Sequence, residues 1–351
     1  MLAPLKHWLH DNSGTHPHVF GAWRLFNVVR LAIGRVLCRI VDIVTLPLNA
    51  LAAVYFRILR RIGLEYFPAT KGVFMRVGMF PISSHYYDPL FDFRKLAHSL
   101  RAERALPGID MNEQEQVKIL ESFRYQDELL RFPLHTKRRD EFAFDDGPFL
   151  SGDSEYLYCM IRRFKPARIL EIGAGHSTLM MLNAVRGNVA ELPGYKCDHT
   201  CVEPYEAEWL DDLGLTVIRK PVETLSLDHF QALAENDILF IDSSHIIRPQ
   251  GDVLFLYHQV LPMLKPGVLI HVHDIFTPRD YLDDWLKENT RFWNEQYLLE
   301  ALLTDTTQYR IIGAVNYLKH NHAELLRSRL PILDKQFDTR EPGSFWMRKV
   351  V

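Results

Sequence analysis

One short stretch constrains this chain more tightly than any other. Arg168-Ile-Leu-Glu171-Ile-Gly173-Ala-Gly175-His176-Ser177 reads as an apolar strand carrying an acidic residue near its end, then a glycine turn that opens a helix. Glycine permits the tight turn and lets backbone approach a ligand with no β-carbon in the way. The helix N-terminus beyond it offers free N–H groups to an anion. The next strand ends at Glu203, where a carboxylate can accept hydrogen bonds from ribose hydroxyls. From Tyr156 onward apolar strands alternate with helices, the pattern of a parallel α/β sheet. Strands are expected at Arg168–Ile172, Thr200–Glu203, Thr216–Arg219, Ile238–Asp242, Val268–His273, Tyr309–Ile312 and Ser344–Lys349. Asp110 to Leu130 carries apolar residues at helical spacing and is expected as a helix.

A dinucleotide fingerprint wants a third glycine or alanine where Thr178 stands, so that reading fails. The acid, the Gly-x-Gly-x-Ser and the downstream glutamate together resemble the S-adenosylmethionine site of class I methyltransferases. That resemblance implies a Rossmann-like α/β fold, a seven-stranded and mostly parallel sheet with helices on both faces. It implies that Glu171, Gly173, Gly175 and Ser177 surround the methionine moiety and that Glu203 holds the ribose. Val222 and Glu223 would then lie near adenine, with Asp242 bordering the same site. The chain also resembles a bacterial methyltransferase-domain family that has Asp-x-x-His after the fourth strand and His-Asp-Ile-Phe after the fifth. Here these are Asp242 to His245 and His273 to Phe276. The resemblance covers Gly152 to Val351, and the closing Gly343-Ser-Phe-Trp-Met-Arg-Lys fits its last strand.

Ligands of open α/β sheets bind outside the carboxyl ends of the strands. Two clusters should lie there: Asp242-Ser-Ser-His245, with Asp252 beyond it, and His271-Val-His273-Asp274. A hydroxyl acceptor is a poor nucleophile until its proton is removed, and His245 or His273 can act as base because imidazole titrates near neutral pH. A divalent cation would lower the hydroxyl pKa instead. Asp242 and Asp274 stand where cation-dependent O-methyltransferases carry metal-binding acids, although the usual Asp-Asn pair at the fifth strand is here Asp274-Ile275. The expected catalytic set is Asp242, His245, His273 and Asp274. The expected metal set is Asp242, His273 and Asp274, holding Mg²⁺ or Mn²⁺. The acceptor is expected to be a saccharide or small secondary metabolite. Tyr86, Tyr87, Phe292 and Trp293 can stack on such a ring or simply pack the core. Tyr86-Tyr-Asp-Pro89 and Leu106-Pro-Gly-Ile-Asp110 are expected to cap the acceptor pocket. Two alternatives stay open: a metal-dependent oxygenase using two histidines and a carboxylate on the same fold, and a membrane-docked binding protein without turnover.

The formal charge of −3 argues against a general nucleic-acid binder, but it averages two unlike parts. Residues 1–65 carry a net +5 and the remainder −8. Between Leu25 and Leu64, at about 100° per residue, Arg24, Arg35, Arg39, Arg57, Arg60 and Arg61 share one sector about 100° wide. A broad apolar face lies beside it. That pattern fits a helix lying in a membrane interface, or one packed on the enzyme's own body or on a homo-oligomer partner. A spanning helix is disfavoured, because Ile43 to Phe56 is short and contains Pro47 and Asn49. The expected organisation is a basic amphipathic segment 1–65, a helical or irregular cap 66–151 and a methyltransferase domain 152–351. Four cysteines are too sparse for a disulfide framework, and Cys197-Asp-His-Thr-Cys201 reads as two reduced thiols. The expected location is cytoplasmic, peripheral on the inner face of the membrane if the helix docks there.

Overall fold

The computed structural model describes residues 19–84, 87–205 and 207–351, with side chains from residue 34 onward. Tyr86, expected near the acceptor, lies outside the described residues. The chain divides into two compact units, Met1–Asp92 and Phe93–Val351.

In the first unit, helix α1 (Val19–Ile62) is followed by α2 (Pro68–Val77). Proline at the first position of α2 costs nothing there, since that N–H has no helical partner. Gly78 ends α2 in a left-handed conformation. Leu59, Leu64 and Phe74 form a small buried cluster with Phe56 and Phe67 against it. Arg60 pairs with Asp88 at 2.7 Å, and Ser83 donates to the same carboxylate.

The second unit begins with α3 (Glu113–Glu121) and a separate turn of helix at Gln126–Leu129. The continuous helix expected from Asp110 to Leu130 is therefore broken. The chain leaves the helix at Ser122 so that Phe123 can enter the core, fully buried and edge-on to Tyr156 at 5.1 Å. There follow α4 (Asp153–Phe164), β1 (Arg168–Ile172), α5 (His176–Glu191), β2 (Asp198–Val202) and β3 (Thr216–Ile218). β4 (Ile238–Ile241), β5 (Leu269–Val272), α6 (Glu295–Leu303), β6 (Tyr309–Ala314) and β7 (Phe345–Lys349) complete the parts that position the site. Each expected strand is present, with ends moved by a residue or two.

The described strands form one seven-stranded sheet in the order β3-β2-β1-β4-β5-β7-β6. All pairings are parallel except those of β7, which runs against both β5 and β6. β4 and β5 are buried along their whole length, as strands covered on both faces must be. Alternate residues feed two cores. Ile169, Phe240 and Trp346 pack on one face with α4, α5 and the segment containing Leu120, Phe123 and Phe142. Leu170, Ile241, Ile270 and Met347 pack on the other with Leu256, Val260 and Leu299 of the covering helices. Residues from Phe93 to Ser151 thus share the sheet's core, because their large apolar side chains are needed to cover one of its faces.

Candidate active site

At the end of β1 the chain turns at Gly173, whose φ of +79° is costly for any residue with a side chain. A β-carbon there would stand 2.0 Å from the Asp242 carbonyl oxygen. The glycine turn and the end of β4 are therefore in direct contact, and only glycine allows it. Gly175 is different: among the described residues, nothing lies within 4 Å of where its β-carbon would be.

Beneath the turn sits a closed polar cluster. Glu171 is fully buried and accepts hydrogen bonds from Ser177 at 2.6 Å, Thr178 at 3.0 Å, His199 Nε2 at 2.8 Å and the Cys201 thiol at 3.3 Å. Thr178 in turn accepts from the Gly175 N–H. Burial, with Glu171 beside it, pushes the Cys201 thiol well above its ordinary pKa, so it stays a donor. These bonds satisfy the carboxylate from within the protein. Glu171 and Ser177, expected around the methionine moiety, are bonded to each other directly beneath the turn. Cys197 and Cys201 carry free thiols.

A second cluster of acids and histidines lies at the ends of β4 and β5. Asp242 follows β4 and is about one third exposed. His245 Nε2 lies 3.3 Å from Asp242 and 3.5 Å from Asp274, while its Nδ1 is 2.9 Å from Glu295. His245 and Asp274 both have positive φ, +61° and +59°. Holding two non-glycine residues there costs of order 1–3 kcal/mol each, and surrounding contacts must enforce it. The N-terminus of α6 supplies them. Asn294 and Glu295 N–H groups donate to the His245 carbonyl at 3.0 and 3.2 Å, and the Asn294 side chain accepts from the Ile247 N–H at 2.7 Å. The buried Glu295 carboxylate accepts from both Ser243 Oγ and His245 Nδ1 at 2.9 Å. Trp293 lies over the His245 ring at 4.3 Å.

His273 sits deeper. Its Nδ1 is 3.0 Å from Asp274, and its Nε2 is 4.0 Å from Asp153 at the start of α4. Burial presses the His273 imidazolium down, but Asp274, Asp242 and Asp153 outweigh it and raise the pKa to about 10. His245 is likewise desolvated, yet Asp242, Glu295 and Asp274 hold it protonated well above its ordinary range. Burial pushes Asp274 up, and the two imidazoles more than reverse it, leaving the carboxyl below its usual range. Both histidines thus favour the imidazolium form, in which they donate rather than accept a proton. His271 is a core residue, stacked on Phe240 at 4.0 Å and bonded to Ser344 Oγ. Burial keeps it neutral.

Asp242, His245 and Asp274 can each present one ligand atom within 4.8 Å of the others. His273, expected in the metal set, also lies against both aspartates, its Nδ1 3.9 Å from Asp242 and 3.0 Å from Asp274, while Glu295 fixes the orientation of the His245 ring. His245 and His273 both lie within 3.5 Å of Asp274, so two imidazoles and a carboxylate also meet here. Asp252 is spent on the Ser244 hydroxyl and N–H, both at 2.7 Å.

The cofactor side is built from the neighbouring strand ends. Glu203 follows β2, partly exposed, with one carboxylate oxygen accepting from the Tyr205 N–H at 3.0 Å. Val222 is buried and Glu223 half-buried in the turn after β3. A carboxylate for ribose hydroxyls, an apolar wall and the open side of Gly175 fit S-adenosylmethionine. Leu106 to Asp110 is elsewhere. Pro107 to Asp110 lines a cleft of about 570 Å³ with Asp305, Thr306 and Tyr309, at the start of β6. That edge is opposite the one bearing Asp242 and Asp274, so this segment does not cap the acceptor. Phe292 is half-buried beside Trp293, whereas Tyr87 is 79% exposed in the other unit.

Sequence reasoning missed Asp153 and Glu295. Asp153 follows a glycine at a helix start, a visible local signal, but nothing nearby directs it to His273. Glu295 lies fifty positions from His245 in the chain, and only the fold joins them.

Residues 170–275 match the family described as "Methyltransferase domain". An uncharacterized protein of Archaeoglobus fulgidus is 24% identical over 201 residues, which is 54% of this chain and 89% of that protein. Among solved structures, the MycE methyltransferase of the mycinamycin biosynthetic pathway is 16% identical, covering 46% of this chain and 44% of its own, with a TM-score of 0.31. The plantazolicin methyltransferase BpumL is also 16% identical, covering 69% and 98%, with a TM-score of 0.34. Likenesses this distant bear on neither mechanism nor acceptor. With the sheet order and the glycine turn, the match marks residues 170–275 as a methyltransferase domain of the class I, S-adenosylmethionine-dependent kind.

Proposed function

We propose that this enzyme methylates a hydroxyl group of a saccharide or small secondary metabolite, with a divalent cation held at the acceptor end. The observation that carries the reading is the convergence of Asp242, His245 and Asp274 beside the glycine turn. Bound S-adenosylmethionine supplies an electrophilic methyl group on a sulfonium. Asp242 is the most exposed carboxylate of the cluster, so it is the group that accepts the hydroxyl's hydrogen bond and then its proton. His273, held as an imidazolium ion with its Nδ1 3.9 Å from Asp242, helps to orient that carboxylate. Asp242, Asp274 and His245, the last through an Nε2 that gives up its proton to bind, would hold Mg²⁺ or Mn²⁺, which would lower the pKa of an acceptor hydroxyl. Trp293 offers an aromatic edge for a flat or sugar-like acceptor. Orientation of hydroxyl and methyl in line supplies much of the rate. The four free thiols support a cytoplasmic location.

The test is calorimetric titration with S-adenosylmethionine, then with Mg²⁺ and Mn²⁺, followed by turnover on a panel of hydroxylated acceptors. Gly173→Arg should abolish cofactor binding and Glu203→Ala should weaken it strongly. A wild type that ignored the cofactor at millimolar concentration, or that methylated only amines or thiols, would overturn the reading.

A further inference from the structure

The N-terminal unit has a surface that the catalytic reading does not use. Within α1, Gly34–Ile62 is a 29-residue apolar stretch with a mean hydropathy of 1.7 in its best window, none of which is buried. Val36, Ile40, Val44, Leu51, Val54 and Ile58 lie on one side of the helix and are each at least half exposed. Water is a poor partner for a stripe of this length, and contiguous exposed apolar surface marks an interaction site.

Two features identify the partner. The first is charge. Arg35, Arg39, Arg57 and Arg61 are exposed, share the sector beside the stripe and form no ion pair among the described residues. Arg60 is excluded from this set because Asp88 holds it. Unpaired guanidinium groups along an apolar face complement anionic headgroups, whereas in a dimer they would meet their own copies. The second is the middle of the helix. Asp42, Thr45 and Asn49 continue the polar side between the two arginine pairs, and Asn49 donates to Thr45 Oγ1 at 3.0 Å. A spanning orientation would put all three into hydrocarbon, whereas an in-plane helix leaves them facing water.

We infer that α1 lies in the plane of an anionic lipid bilayer, its aliphatic stripe among the acyl chains and its arginines among the headgroups. Length and composition alone would also admit a spanning helix, and the charge of Asp42 with the polar Thr45 and Asn49 on the arginine side weighs against it. The enzyme is thereby concentrated at a membrane surface, where an amphiphilic acceptor would meet it at raised effective concentration.

The experiment uses the full-length protein with vesicles of phosphatidylcholine containing one third phosphatidylglycerol. We expect it to sediment with them at 0.1 M salt. Binding should fall about tenfold or more on neutral vesicles, in 0.5 M salt, or in the variant carrying Arg35→Gln, Arg39→Gln, Arg57→Gln and Arg61→Gln, since each basic group near the surface is worth about 1 kcal/mol. Val44→Asp with Leu51→Asp should abolish it at any salt concentration. Cofactor affinity, measured by calorimetry on the same variants, should stay within about threefold, so loss of docking is separable from loss of the methyltransferase site. Pelleting that survives both high salt and carbonate extraction would overturn the proposal in favour of a spanning helix. Absence of vesicle binding, with a concentration-dependent dimer that Val44→Asp with Leu51→Asp dissolves, would overturn it in favour of a second copy.

Discussion

The catalytic body holds two clusters of similar composition only one strand apart, and they do opposite things. Glu171, His199 and Cys201 bring together a carboxylate, an imidazole and a thiol; Asp242, His245 and Asp274 bring together two carboxylates and an imidazole. In the first, four side-chain donors close on one carboxylate and every member is buried. In the second, a carboxylate at the strand end stays one third exposed and the imidazole is gripped from behind by Glu295. Residue types therefore do not distinguish a support from a reaction centre. What distinguishes them is whether the hydrogen bonds are already spent, and on which side of the strand end the side chains emerge.

The comparison can be broken most sharply at Asp242. Asp242→Ala should lower kcat on the order of 10³-fold, as loss of a proton-accepting group does, while cofactor affinity by calorimetry stays within about threefold. Equal, small losses in both would remove its assigned role. Glu295→Gln comes next. It retains the shape but loses the charge that fixes His245, so metal affinity or kcat should fall about 10- to 100-fold. The pH profile should move as well, with Glu295→Asp recovering part of the loss. An unchanged pH profile would reduce Glu295 to a packing residue.

Glu171→Gln should behave in the contrary way. Disturbing a buried, fully bonded carboxylate costs about 2 kcal/mol, read as a lower Tm, while kcat of the folded variant stays within about threefold. A stable Glu171→Gln enzyme with abolished turnover would put the closed cluster on the reaction path after all. For His273, the folded pKa of about 10 exceeds the ordinary value of 6.5. Its stabilisation is then full below pH 6.5 and is lost as pH rises through 10. Metal-free wild type should lose Tm across that window more steeply than His273→Gln, and parallel curves would refute the carboxylate cage.

The smallest effect is expected at an ion pair that belongs to neither cluster. Lys319 and His320 hold Glu341 down to about 2, although burial opposes them. Its contribution is present above pH 4.5 and fades as pH falls toward 2. Partial exposure screens it to about 1 kcal/mol, so Glu341→Gln and wild type should differ near neutrality and converge in acid.

Much of this was legible in advance for identifiable reasons. Strands such as Ile238–Ile241 are short apolar runs bounded by turn residues, and a glycine turn between a strand and a helix has few alternatives. The ends of β4 and β5 were legible because their acids and histidines are sequence-adjacent to those strands. The helix over Asp110 to Leu130 was misjudged because its apolar spacing says nothing about a core that requires Phe123 to leave the helix. The acceptor-side placement of Leu106 to Asp110 failed for a related reason. β6 runs in the same direction as β4 and β5, so its start lies at the sheet edge away from their carboxyl ends, and no local pattern ties Leu106 to Asp110 to the start of β6.

Taken by itself, the order of residues determined the alternation of strands and helices, the glycine turn and the asymmetry between a basic head and an acidic body. Those are local properties of periodicity, backbone freedom and charge. Only the tertiary structure decided that the Glu171 carboxylate is closed in by four donors, that Glu295 grips His245, and that Asp153 comes up to His273. Each depends on contacts between residues far apart in the chain, which sequence proximity does not encode.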